Sequence, residues 1–181
     1  MAFEQFEQVP GRVFLDTCVV NLLLDHSETI HDNCPPSKSL SERVARDVEA
    51  LRSLWTVGQR AQWQLAISPL TYREVTATTC LDQRRKLQSW FFELWAYWQE
   101  TLATETMLSQ LPSSLSNLDL LPDANDRQLV RDSVMYNCDA FCTRDWSTIL
   151  RYRTALSDLG VRIITPTEWW RAVEPWAGIW A

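Results

Sequence analysis

Apolar residues along the chain fall into two patterns: short unbroken runs, and stretches in which they recur every three to four positions. Val13-Phe14-Leu15 is the first run and predicts a buried strand over 12–15, followed by a helical pattern from Thr17 to Leu24. "HSETIHDNCPPSKS" is rich in polar and turn residues and reads as a loop stopped at Pro35-Pro36. Ser39 or Ser41 can cap the next helix, whose apolar positions Val44, Val48, Leu51, Leu54 and Trp55 keep a helical period up to Gly58. "WQLAIS" is the second strand, and Ser68-Pro69 supplies an N-cap and a first-turn proline for another helix. Residues 83–108 form a long helical stretch dense in aromatics, and "LPSSLSNLDLLPDAND" is a polar connection broken at Pro112 and Pro122. A helix from about Asp123 to Asn137 places Leu129, Val130, Ser133 and Val134 on one face. "DAFCT" and "VRIITP" are the third and fourth strands, and a last helix runs from Thr167 towards Pro175.

Strands separated by helices in this order predict an α/β fold, a three-layer sandwich with a central parallel sheet flanked by helices. With no internal repeat and no boundary signal, residues 1–181 read as one domain.

Composition narrows the chemistry. Hydrophobic residues make up 46%, a globular content, yet no apolar run approaches the roughly 20 residues of a membrane span. "MAFEQFEQVPGR" has no basic region of the signal-peptide kind, and five scattered cysteines without C-x-x-C suit reduced thiols, so the expected location is cytoplasmic, with no membrane partner. His26, His31 and Cys34 follow no standard zinc spacing. Four glycines build neither G-x-G-x-x-G nor a P-loop, which removes the two common phosphate cradles. A net charge of −6 argues against a large basic nucleic-acid surface, though not against a local one.

One acid stands out. Asp16 ends the first apolar run, where an unpaired buried carboxylate costs several kcal/mol or more; a turn cap, a basic partner or a bound cation could compensate it. Glu74, Asp126 and Asp145 also follow a strand or open a helix at the same predicted carboxyl edge. Each has a local alternative: Glu74 closes T-x-x-E with Thr71 as a capping box, Asp126 or Asp123 can complement a helix dipole, and Asp145 can cap. Together the four would repel one another unless hard divalent cations neutralise them, and an ion held there can accept an anionic phosphodiester.

"VFLDTCVVNLLLD", "ISPLTYREV", "NDRQLVRDSVMYNCDAFCTRD" and "GVRIITPTEWW" resemble the successive motifs of PIN-domain ribonucleases, from Val13 to about Trp170. The resemblance implies a PIN-like α/β sandwich and Mg²⁺- or Mn²⁺-dependent cleavage of RNA. It implies Asp16, Glu74, Asp126 and Asp145 as metal-binding catalytic carboxylates, with Thr143 as a supporting hydroxyl and Asp123 as an additional acid competing with Asp126. Asp139 is by the same analogy a turn residue. Many small members are the toxin half of a toxin–antitoxin pair and form homodimers, so an antitoxin protein and a second copy enter as partners by analogy. The segment from Asp16 to Glu74 and the stretch 83–108 are longer than in those small toxins, so the chain reads as a larger variant.

Arg127, Arg131 and Arg144 lie beside the acids in sequence and are the candidate RNA contacts; Arg84, Arg85 and Lys86 beside Trp90 are a second basic group. Trp90, Trp95 and Trp98 follow a helical stripe, while Trp169, Trp170, Trp176 and Trp180 crowd the carboxyl end, over the sheet or a partner groove. The haloacid-dehalogenase alternative needs D-x-D, and position 18 is Cys18; a receiver-like reading lacks its acidic pair. A PIN-like module that binds RNA or a protein without cutting is the non-enzymatic alternative.

Overall fold

The structure, a computed structural model, describes residues 5–32, 34–36, 39–61, 63–78 and 113–180. The aromatic stretch 83–108, with its Arg84, Arg85, Lys86, Trp90, Trp95 and Trp98, lies outside the described residues.

Four short strands form one parallel sheet: β1 (Arg12–Leu15), β2 (Gln64–Ala66), β3 (Ala140–Cys142) and β4 (Arg162–Ile164), in the order β2-β1-β3-β4. Register is set by Phe14 opposite Ala66 on one side and Phe141 on the other, with Cys142 opposite Ile164. Because successive strand side chains point to opposite faces, the apolar runs feed two cores. Val13, Leu15, Ala140, Cys142 and Ile164 face one layer, and Phe14, Ala66, Phe141 and Ile163 face the other.

The first layer comprises α1 (Thr17–Asp25), α2 (Ser27–His31), α3 (Glu42–Ala61) and α7 (Pro166–Val173), with Val75 of α4 (Pro69–Thr78). The second holds a 3₁₀ helix over Ser113–Leu120, α5 (Ala124–Met135) and α6 (Ile149–Tyr152). The result is a three-layer α/β fold. Phe14 and Phe141 stack in the second core at 5.4 Å and 13°.

Most boundaries fall where the pattern predicts. Leu129, Val130, Ser133 and Val134 are the buried face of α5. Ser41 rather than Ser39 caps α3, its hydroxyl accepting from the Val44 amide at 3.4 Å. Asp139 is a turn residue at the amino edge of the sheet, its Oδ2 accepting from the Gly11 and Arg12 amides at 2.9 and 2.8 Å.

Two segments read as polar connections are folded. α2 sits inside the expected loop: Ile30 is buried, and the His31 ring meets Trp55 of α3 at 4.4 Å. Five residues are too few to show a period, so packing on α3 decides. The 113–120 segment buries Leu118, and Leu121 just beyond it is equally enclosed. The last helix begins at Pro166, fixed by a capping box in which Thr165 Oγ1 accepts from the Glu168 amide and Glu168 Oε2 from the Thr165 amide. Beyond it a 3₁₀ turn over Glu174–Trp180 folds back, with Trp180 against Trp63 and Phe6. No helix among the described residues is long and apolar enough to cross a membrane.

Strand order positions the site. From β1 the chain moves to β2 on one side; from β3 it moves to β4 on the other. A crevice therefore opens between the carboxyl ends of β1 and β3, the switch point at which parallel α/β sheets present their ligating residues. Asp16 and Thr143 emerge there. The ladder runs one residue beyond the strands, with the Asp16 amide donating to the Cys142 carbonyl at 3.0 Å and the Thr143 amide to Ile164 at 2.9 Å.

Candidate active site

Asp16 is 5% exposed and stands at the N-cap position of α1, yet its side chain makes no N-cap hydrogen bond. Its Oδ2 instead accepts from Thr143 Oγ1 at 2.5 Å and from Cys18 Sγ at 3.0 Å. Among the described residues it has no basic partner. Burial pushes its carboxyl up; hydrogen bonds from Cys18, Thr143 and the Thr17 amide oppose that, and the charge of Asp145 adds to it. A buried carboxylate in this position takes either a proton or a cation.

Thr143 is fully buried and ties Asp16 to the next acid, since its hydroxyl also accepts from the Asp145 amide at 3.0 Å. Asp145 divides its labour. Oδ1 closes a local turn, accepting from Ser147 Oγ at 2.6 Å, the Ser147 amide at 2.8 Å and the Thr148 amide at 3.0 Å. Oδ2 receives the Thr148 hydroxyl, which also lies 2.8 Å from Asp126 Oδ2. One hydroxyl carries one proton, so Thr148 satisfies only one of the two carboxylates at a time. Asp145 stays low, because bonds from Ser147 and Thr148 outweigh its desolvation. Asp126 does not: burial, then the charges of Asp145, Asp123 and Asp16, raise it to about 6 against the single Thr148 bond. Asp16, Asp126 and Asp145 thus share one electrostatic pocket.

The competition between Asp123 and Asp126 is resolved by the cap. Asp123 Oδ1 accepts from the Asn125 and Asp126 amides at 2.7 and 3.2 Å, so it closes the amino end of α5 and frees Asp126 to face the crevice. Asp123→Ala should cost about 1 kcal/mol in chemical denaturation, the usual loss of an N-cap, while Asp126→Asn should not destabilise.

Glu74 forms no capping box. Ser68 caps α4, and Thr71 lies inside that helix with its hydroxyl turned to Ser68. Glu74 Oε2 accepts from Thr17 Oγ1 at 2.5 Å and Oε1 from Asn125 Nδ2 at 2.6 Å. It is held between the neighbour of Asp16 and the neighbour of Asp126, so all four acids meet at one edge.

The three arginines behave differently from the expectation that they flank these acids. Arg144 Nε pairs with Asp47 Oδ2 of α3 at 2.8 Å, deep in the first layer, and Thr167 Oγ1 donates to the other Asp47 oxygen at 2.8 Å. Its guanidinium ties β3's exit loop to α3. Arg127 is spent on the Leu121 and Pro122 carbonyls at 2.6 and 3.3 Å, and Arg131 reaches Gln128 at 3.4 Å.

Sequence reasoning missed Cys18, Asn125, Thr148 and Asp47. Asp47 had a local signal, because it sits three after Val44 and four before Leu51 on the apolar stripe of α3. Thr148 stands three beyond Asp145 in a turn, a spacing that marks nothing alone. Cys18 supplies a thiol that burial, then the charge of Asp16, pushes well up, so it remains a neutral donor.

The donor chemistry fits a hard dication: carboxylate oxygens, one on a buried acid without a counter-ion among the described residues, and a neighbour raised by burial and then by like charge. Among the described residues, no three His, Cys, Asp or Glu side chains already stand as a metal-binding group. No family model matches the chain, and neither a curated protein nor a solved structure matches it.

Proposed function

We propose that this chain is a PIN-like ribonuclease that hydrolyses RNA phosphodiester bonds with Mg²⁺ or Mn²⁺. The carrying observation is Asp16, a buried carboxylate without an N-cap bond and, among the described residues, without a basic partner, coupled to Asp126 and Asp145 at the switch point. Asp16, Asp126 and Asp145 would hold the ion, which supplies an activated water and neutralises charge developing on phosphorus. Thr143 fixes the Asp16 oxygen and, through the Asp145 amide, the loop that carries the third acid. Glu74, steadied by Thr17 and Asn125, would orient the attacking water and take its proton.

A second reading has its own observation. The Thr148 hydroxyl stands between Asp126 and Asp145, where a cation shared by the two acids would have to displace it, and a module that binds RNA without cutting needs no such displacement. Purified protein on single-stranded RNA separates the two. The nuclease reading expects cleavage with Mn²⁺, none in chelator, and recovery when Mn²⁺ is restored. Cleavage unchanged in chelator or in Asp16→Asn would refute metal-dependent chemistry here; binding without cleavage at any Mn²⁺ concentration would assign the second reading.

A further inference from the structure

Beside the acids, at the carboxyl end of β4, lies a polar groove of about 210 Å³ lined by Arg43 and Arg46 of α3, Arg171 of α7, Trp146 and Thr167. Its charge is unusual in a chain of net charge −6. The two acids in its wall are neutralised from behind: Asp47 by Arg144 at 2.8 Å and Glu168 by Arg153 at 2.8 Å. Arg43 and Arg171 form no ion pair among the described residues, and Arg46 has only a loose, exposed contact to Glu42 at 4.0 Å. Arg43 and Arg171 therefore bring to the groove two guanidinium charges that pair with no described acid, and Arg46 brings a third that Glu42 holds only loosely.

Trp146 is the second feature. It follows Asp145 directly and is 47% exposed, a large aromatic ring outside both cores. Arg43 lies over it, guanidinium carbon 4.8 Å from the ring centroid, which orients the ring and leaves nearly half of it open. An exposed aromatic plane among arginines is the chemistry that holds an unpaired base and its flanking phosphates. A duplex hides its base faces and offers such a ring nothing to stack on.

We infer that the groove of Trp146, Arg43, Arg46 and Arg171 is a single-strand nucleic-acid subsite: one unpaired base stacks on Trp146, and the arginines hold adjoining phosphates. Its placement one residue from Asp145 makes it a continuation of the proposed cleavage site, and in that respect it rests on the ribonuclease reading. The cations of this subsite come from α3 and α7, which the fold brings together.

The test is fluorescence anisotropy of the full chain in chelator, with a labelled twelve-residue oligouridine, free or annealed to oligoadenine. Single strand should bind at least tenfold more tightly than duplex. Trp146→Ala should lose about tenfold and Trp146→Phe should retain most of the affinity, because stacking needs only an aromatic face. Arg171→Ala and Arg43→Ala should each weaken binding and flatten its log–log salt dependence by about 0.7. Circular dichroism confirms folding, which these exposed positions should not disturb.

Binding by Trp146→Ala within twofold of wild type, or an equal loss for single strand and duplex, would overturn the subsite. So would displacement by polyglutamate that is insensitive to Trp146, which would assign the groove to an acidic protein segment. The two readings fail separately. Trp146-dependent binding without Mn²⁺-stimulated cleavage leaves the subsite and removes the nuclease; cleavage with a KM unchanged in Trp146→Ala does the reverse.

Discussion

Asp126→Asn is expected to lower Mn²⁺-stimulated RNA cleavage by on the order of 10³-fold and, in the metal-free protein, to raise stability by about 1 kcal/mol. The two signs are opposite for one reason. Asp126 is desolvated and faces the charges of Asp145, Asp123 and Asp16, so its ionised form strains the fold that a cation would relieve. Removing the charge relieves the strain and forfeits the ligand. A residue serving only as helix surface would show neither effect.

The same group fixes a pH dependence. The folded Asp126 carboxyl titrates at about 6, above its ordinary 3.8, so the native state binds more protons than the unfolded chain between those values. Its contribution to stability is full below about 4 and is lost as pH rises through 6. Asp16, raised by burial, acts in the same direction, whereas His31, lowered by burial, acts in the opposite one over the upper part of that window. The difference between wild type and Asp126→Asn isolates the contribution of Asp126, because the remaining groups largely cancel. Denaturant titrations in chelator should show that difference growing between pH 4 and 7. A flat difference would mean that Asp126 is solvated and free of its neighbours.

Arg144→Ala is expected to cost about 3 kcal/mol, with a fall in Tm of about 6–12 °C. The loss comes from Asp47. Its side chain is 5% exposed, and without the guanidinium it keeps only Thr167 Oγ1 as a donor. Burying an uncompensated charge costs more than a surface ion pair contributes. Because Arg144 sits between Thr143 and Asp145, the variant should also lose up to about 10²-fold in cleavage through displacement of the loop. Arg144→Met combined with Asp47→Leu should recover most of the stability, since replacing both charges leaves nothing unpaired. Thermal melts of the three proteins check this. A single-variant loss below 1 kcal/mol would show that the pair is solvated.

Asp126 and Arg144 differ in how legible they are from the sequence. The apolar run of β1, the proline-capped start of α4 and the buried face of α5 are local patterns, and each lies where it was predicted. Asp16 was legible because a carboxylate at the end of such a run demands compensation. The convergence of Asp16, Glu74, Asp126 and Asp145 followed from strand order, which alternating strands and helices imply. What escaped depends on contacts that leave no local trace. Arg144 looked like an RNA ligand from its neighbours in the chain, but its partner is 97 residues away on α3. Ile30 and His31 looked like loop residues because a five-residue helix has no period of its own. Trp146 and Arg171 are 25 positions apart and become one groove only when β3 and β4 pair and α7 folds back.

The proposed ribonuclease requires an ion among Asp16, Asp126 and Asp145. Crystals of the chain soaked in Mn²⁺ and measured near the manganese edge would locate it by anomalous scattering. A peak is expected within coordination distance, about 2.0–2.4 Å, of oxygens from those three side chains, and none in Asp126→Asn crystals soaked alike. A map with no peak there, from a lattice in which the crevice is open to solvent, would contradict it.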